Sequence, residues 1–259
     1  MIRIGTAGWA LPLQLQPRFA GEGSHLARYA AVFNATEINS TFQRQHRPAT
    51  YLRWATSVPD GFRFAVKVPR LITHVHRLVA ADEALDVFLT EAGALGEKLG
   101  CLLVQLPPSL AFVHTDVERF LDALRKRHDG DVALEPRHES WFDAGTDRML
   151  ERYRVARVAA DPAPVRDAAE PGGWNGLAYW RLHGSPRTYY SSYADAALSV
   201  VDAKLRNAQQ FARSVWCVFD NTASNAATAN ALALQAILAA TAKTGGVGRA
   251  SSNARASWR

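Results

Sequence analysis

Residues 131–137 read DVALEPR. In an extended chain successive side chains point to opposite faces. Val132, Leu134 and Pro136 then share one face, and Ala133, Glu135 and Arg137 share the other. A glutamate and an arginine opposite the bulky residues, at the end of an apolar strand, suit a closed barrel. There one face of each strand packs on helices while the other points into the barrel and towards its mouth.

Seven further β-rich runs flank this one: IRIG (2–5), TEINS (36–40), FRFAVKV (62–68) and CLLVQL (101–106) before it, RVARVAAD (154–161), LAYWRLH (177–183) and SVWCVF (214–219) after it. Their spacing is too long for hairpins and long enough for crossover helices, which favours parallel pairing. Helices are expected over 24–33 with Ser24 as N-cap, over 82–100 from Asp82 to a terminating Gly100, over 115–128 with Thr115 and Glu118 at capping-box spacing, and over 224–242. Eight β units, most followed by a helix, specify an α/β fold, a single (β/α)8 TIM-type barrel over residues 1–242. The competing architecture is an open doubly wound sheet, and no glycine-rich nucleotide motif supports it.

A chain of 259 residues fits one domain if that domain is a barrel, and 48% hydrophobic with 21% charged residues is an ordinary globular composition. The start lacks the apolar core of a signal peptide and no run is long enough to span a bilayer, so a cytoplasmic location without membrane contact is expected. Cys101 and Cys217 each lie in apolar runs and read as buried thiols. Lys243, Arg249, Arg255 and Arg259 account for most of the formal +6 and leave +2 for residues 1–242. Residues 243–259 are therefore expected to form a basic, disordered tail; nucleic-acid contact through it is not favoured over a solvated terminus.

Strand parity brings polar side chains to one rim. Glu37 and Asn39, Lys67, Gln105, Glu135 with Arg137 and His138, Asp161, Arg181 with His183, and Asp220 with Asn221 all fall at strand ends, with Trp9 after the first strand. Trp141 and the tyrosines at 179, 189, 190 and 193 are candidates to line the mouth. Glu37 and Glu135 suit an acid/base pair and suit equally well ion pairing with arginines. Arg3, Arg63, Lys67, Arg137 and Arg181 outnumber Glu37, Glu135 and Asp161 among the inward positions, and a cationic concavity favours an anionic ligand.

The stretches GTAGW (5–9), EINSTF (37–42), FAVKVPRLITH (64–74), KLGCLLVQLPPS (98–109), EPRHESW (135–141), YWRLHG (179–184) and VFDNTASNAATANA (218–231) together resemble the YecE-like family, also called domain of unknown function 72. The resemblance implies a TIM barrel and establishes no activity. Its motif positions here include Trp9, Glu37, Asn39, Ser40, Lys67, Thr73, His74, Gln105, Glu135, Arg137, His138, Trp141, Arg181, His183, Gly184 and Asn221. Ala7, Pro136 and Asp220 depart from the residues usual in the family.

The resulting expectation is an enzyme using acid/base chemistry on a small anionic, phosphorylated or carboxylated, sugar-like substrate. Glu37, Glu135, His138 and His183 are the catalytic candidates. Trp9, Asn39, Lys67, Gln105, Arg137, Trp141, Asp161, Arg181 and Asn221 are the substrate-binding ones. The alternatives are a metal-dependent isomerase or nucleic-acid-processing lyase or nuclease, with a divalent metal on the same carboxylates and histidines, or a non-catalytic ligand-binding barrel. No metal site is assigned from sequence, and oligomeric state is left open.

Overall fold

Closure of the barrel is decided where β1 (Ile2–Thr6) runs beside β2 (Ala35–Ile38) in the computed structural model, which describes residues 1–247, with side chains to 241. Gly5 lies so close to β2 that a Cβ there would sit 2.1 Å from the Ala35 carbonyl oxygen. Only glycine permits that approach. Side chains stitch the seam: Asn34 accepts from Ile4 N and donates to Ile2 O, both at 2.9 Å, and Gly8 N donates to Glu37 O at 2.8 Å.

From β2 the ring continues in parallel through β3 (Arg63–Lys67), β4 (Leu99–Gln105), β5 (Val132–Glu135) and β6 (Val155–Arg157). The same chain run resumes as β7 (Ala159–Asp161) and pairs with β9 (Leu177–Leu182), which pairs with β10 (Ser214–Phe219) and so returns to β1. The eight expected β units therefore form a TIM-type α/β barrel. One short strand, β8 (Gly172–Gly173), was not foreseen and pairs antiparallel with β6.

Two apolar layers follow from strand alternation. The interior holds Ala65, Cys101, Leu103, Ala133, Tyr179 and Trp216, among others. Small residues on β2, β3, β5 and β6 leave room for the stacked rings of Tyr179 and Trp216, 5.7 Å apart. Leu102, Val104, Val132, Leu134, Trp180 and Leu182 face outward onto the helices. Cys101 and Cys217 are buried free thiols, one in each layer.

The outer shell comprises α1 (His25–Ala30), α2 (Pro48–Thr56), α3 (Asp82–Gly93), α4 (His114–Arg125), α5 (Ala144–Arg152), α6 (Asp195–Ala208) and α7 (Ala226–Val247). Ser24 caps α1 as expected, accepting from Ala27 N. Two expected boundaries are corrected. The 82–100 helix stops at Gly93, and Gly100 lies in β4, wedged against Arg63 Cβ and the Trp216 ring. Thr115 is not a cap, because α4 already begins at His114. Between β7 and β9 no α-helix intervenes, only a single-turn helix (Arg166–Ala169) and β8. α7 runs on to Val247, and the remainder of the expected basic tail lies outside the described residues. No helix among the described residues is long and apolar enough to cross a membrane.

Candidate active site at the mouth of the barrel

Arg181 lies one residue before the end of β9 and His183 one residue after it, with side chains on the inward face that Tyr179 begins. Arg181 is 1% exposed and lies among three carboxylates. Its Nε and Nη2 grip Glu37 at 3.0 and 2.7 Å, Nη1 donates to Glu135 Oε2 at 2.7 Å, and Nη2 donates to Asp220 Oδ2 at 3.0 Å. Tyr179 adds its hydroxyl to Glu37 Oε2 at 3.1 Å. A buried guanidinium of this kind persists only because every side of it is matched.

His183 links two of these carboxylates. Its Nδ1 lies 2.9 Å from Asp220 Oδ2, and its Nε2 lies 2.9 Å from Glu135 Oε1 and 2.6 Å from Arg137 Nη2. A neutral ring protonated on Nδ1 donates to Asp220 and accepts from Arg137; a protonated ring donates to both carboxylates. Tyr189 stands edge-on to the ring at 5.8 Å.

The fields of these groups set their protonation. Burial pushes Glu135 upward, but Arg181, then Arg137 and His183, overcome it and hold the carboxyl well below the ordinary range. Burial also opposes ionisation of Asp220, and Arg181 and His183 bring its pKa down regardless. Arg181 is held well above its ordinary value by Glu37, Glu135 and Asp220, against burial. Lys67 differs. Burial and then Arg181 lower its pKa, with Glu37, Asp220 and Glu135 only partly opposing. Its ammonium stands 4.2 Å above the Phe42 ring and forms no ion pair or hydrogen bond among the described residues.

Sequence parity thus brings Glu37, Glu135, Arg181 and His183 together, with Lys67, Asn39, Gln105 and Arg137 around them. Asn39 reaches Asp220 Oδ1 at 3.5 Å, Gln105 donates to Leu106 O at 2.5 Å, and Arg137 pairs with Glu135 at 2.5 Å. Buried Asn39 Oδ1 and Arg137 Nε have no hydrogen-bond partner among the described residues.

Five expected site residues lie elsewhere. His138 is partly buried and caps a turn, accepting from Ser140 N at 3.2 Å. Trp141 is fully buried in the outer core, donating to Leu110 O and packed on Phe112. Trp9 packs outward against Trp54 and Phe64. Asp161 bonds Tyr193 on the helix side, because Ala156 and Val158 take the inner phase of that strand. Asn221 ties Ser191 and Asn230 together and so fixes the loop after β9. Gly184 in that loop has φ +94°, and a Cβ would meet Ser191 O at 2.7 Å.

The expected cation excess is also corrected. Arg3 and Arg63 sit at the opposite end of the barrel, bonding the carbonyls of Gly61 and of Asp60 and Phe62. Within the mouth Lys67, Arg137 and Arg181 face Glu37, Glu135 and Asp220, an even balance. Asp220, placed at the rim by the sequence but given no role there, continues the inward phase of Trp216 and Val218 and belongs to the site.

A divalent metal does not fit this donor set. The Arg181 guanidinium fills the space between the carboxylates, and among the described residues no group of three or more His, Cys, Asp or Glu side chains is arranged to hold a metal ion.

A family model described as protein of unknown function DUF72 matches residues 3–255. The chain belongs to the DUF72 family. The UPF0759 protein YunF of Bacillus subtilis is 26% identical over 148 residues, 55% of this chain; the chain spans about half the length of that curated relative, 52%. A DUF72 protein of Enterococcus faecalis superposes with a TM-score of 0.77 at 20% identity, covering 92% of this chain and 96% of that one. One of Thermotoga maritima gives 0.75 at 23% identity, covering 92% and 99%. These structural likenesses bear on the fold, which the DUF72 members share.

Proposed function

We propose that this DUF72 barrel is an enzyme that holds a small anionic substrate at its mouth and moves a proton through Lys67. The observation that carries the reading is the half-buried Lys67 ammonium with no counter-ion at bonding distance among the described residues and a lowered pKa. Cations in a concave site without a partner attract anions, and a lysine whose pKa is lowered gives up its proton more readily than an ordinary one.

The layering of charge supports it. Glu37 and Glu135 are fully buried and turned onto Arg181, whereas the Arg137 side chain is 18% exposed and Lys67 half-buried. A ligand entering the mouth meets cations first. The unpartnered Asn39 Oδ1 and Arg137 Nε supply an acceptor and a donor for its other polar groups. His183, poised between Asp220 and Glu135, is the second proton carrier. Glu37, Glu135 and Arg181 are positioning groups in this reading, since saturation by one another removes them from direct acid/base work.

That saturation favours one second reading, a binding barrel that holds the same anion without turning it over. Both readings require Lys67. Isothermal titration of inorganic phosphate into the wild type and Lys67→Met tests them together: loss of one charge-assisted bond of about 1.5–3 kcal/mol weakens binding roughly 10- to 100-fold. Equal affinity in the two proteins would remove the anion site. Lys67→Arg separates the readings in an activity screen on phosphorylated sugars, because arginine keeps the charge and cannot release the proton.

A further inference from the structure

The cations missing from the mouth lie beside it. Between Glu37 and Asp82 the sole acidic residue is Asp60, which sits at the far end of the barrel and pairs with Lys98 at 3.4 Å. In the same span Arg44, Arg47, Lys67, Arg70 and Arg77 follow β2 or β3 onto the rim that holds the mouth. None of them forms an ion pair among the described residues; Arg77 bonds only Ser109. The other rim loops hold more carboxylates than arginines and lysines, so the rim is polarised.

The segments after β2 and β3 enclose a groove of about 300 Å³, lined by Phe42, Gln43, Arg44, Gln45, Arg70 and Leu71 among others. Phe42 is its partition from the mouth, for the same ring lies beneath the Lys67 ammonium at 4.2 Å and meets His74 edge-on at 4.9 Å. Lys67, Arg70 and Arg77 reinforce burial in holding the pKa of His74 down, so their fields overlap there. Like charges gathered without carboxylates raise the local potential and are relieved by a bound anion. Guanidinium forks match phosphate oxygens in pairs, and the two glutamines offer neutral hydrogen bonds between such groups.

We propose that this groove is a second anion subsite, so that the ligand is an extended molecule carrying at least two phosphate-class groups, one at Lys67 and one between Arg44 and Arg70. The inference rests on the mouth being an anion site and adds the substrate class: an oligophosphate or bisphosphate rather than a monoanion.

Titration calorimetry of inorganic phosphate, pyrophosphate and tripolyphosphate into the full chain at low ionic strength tests it. Affinity is expected to rise about tenfold or more from phosphate to tripolyphosphate, the gain of one further charge-assisted contact. Arg44→Gln/Arg70→Gln, at two exposed positions, abolishes that rise and weakens tripolyphosphate far more than phosphate. Lys67→Met weakens all three ligands. No rise with length in the wild type, or an equal loss for all three ligands in the double variant, would overturn the subsite. Unchanged binding in Lys67→Met, with the double variant still defective towards tripolyphosphate, would overturn the mouth as the anion site and leave the groove standing alone. A single-stranded oligonucleotide that binds more tightly than tripolyphosphate, and is lost in the same double variant, would overturn the small-molecule class in favour of nucleic acid.

Discussion

Replacing Glu135 with glutamine distinguishes a carboxylate that works on a ligand from one that holds the barrel together. The wild-type side chain is fully buried and meets Arg181 at 2.7 Å, Arg137 at 2.5 Å and His183 at 2.9 Å. Glutamine preserves the shape but removes the charge and turns its amide N–H₂ either towards the Arg181 guanidinium or towards Arg137 and His183, so at least one guanidinium meets a donor in place of an acceptor. Arg181 keeps Glu37 and Asp220, while Arg137 loses its carboxylate. Breaking one member of a buried pair costs about 3–5 kcal/mol; the surviving partners of Arg181 place the expected loss near the lower end, about 3 kcal/mol. For a domain of this size each kcal/mol moves Tm by roughly 2–4 °C, so the drop is about 6–12 °C. The pH dependence supplies the sign. A carboxyl held low in the folded state contributes stability that is fully present above its unfolded pKa of about 4.3 and is lost as pH falls through the folded value. The difference between wild type and Glu135→Gln, measured by urea unfolding from pH 7 downward, is therefore flat at neutral pH and shrinks below about pH 4. A loss under about 1 kcal/mol at neutral pH, or a difference that stays constant through the acid range, would refute the ion-pair account.

Anion affinity in the wild type falls as pH rises through a lysine pKa below the ordinary value of about 10.4, whereas Lys67→Arg retains affinity to higher pH; coincident calorimetric pH profiles would contradict a titrating Lys67. His74, depressed by burial and by Lys67, Arg70 and Arg77, shifts upward when pyrophosphate binds, read as the chemical-shift titration of its ring protons; an unmoved midpoint would place the anion elsewhere. Gly5→Ala forces β1 away from β2, since the new Cβ would stand 2.1 Å from a backbone oxygen, and is expected to cost about 3 kcal/mol or more in chemical unfolding. A stability change under about 1 kcal/mol would mean that the seam is looser than described.

What was legible in the sequence was whatever strand alternation controls. The inward sets Ala133–Glu135–Arg137 and Tyr179–Arg181–His183 follow from a period of two, and they assemble the mouth. Parity failed at 154–161, where Asp161 was expected on the inward face. Its side chain instead meets Tyr193 outside the barrel, and the small Ala156 and Val158 point in. Residues beyond a strand end obey no such period, which is why His138, Trp141 and Asn221 went to turns and packing. A sequence also does not say which end of the barrel an inward arginine occupies, and Arg3 and Arg63 were therefore miscounted into the mouth. Helix α5 did carry a readable signal, Asp143 three residues before Thr146, and both its backbone and hydroxyl contacts form.

A crystal of the full chain grown or soaked with pyrophosphate tests the two-subsite mouth most directly. One phosphate group is expected within hydrogen-bond distance of Lys67 Nζ and the other against Arg44 and Arg70, with Arg181 still held by Glu37, Glu135 and Asp220. A mouth in which no anion reaches Lys67, or one whose bound ligand pulls Arg181 away from its carboxylates, would contradict it.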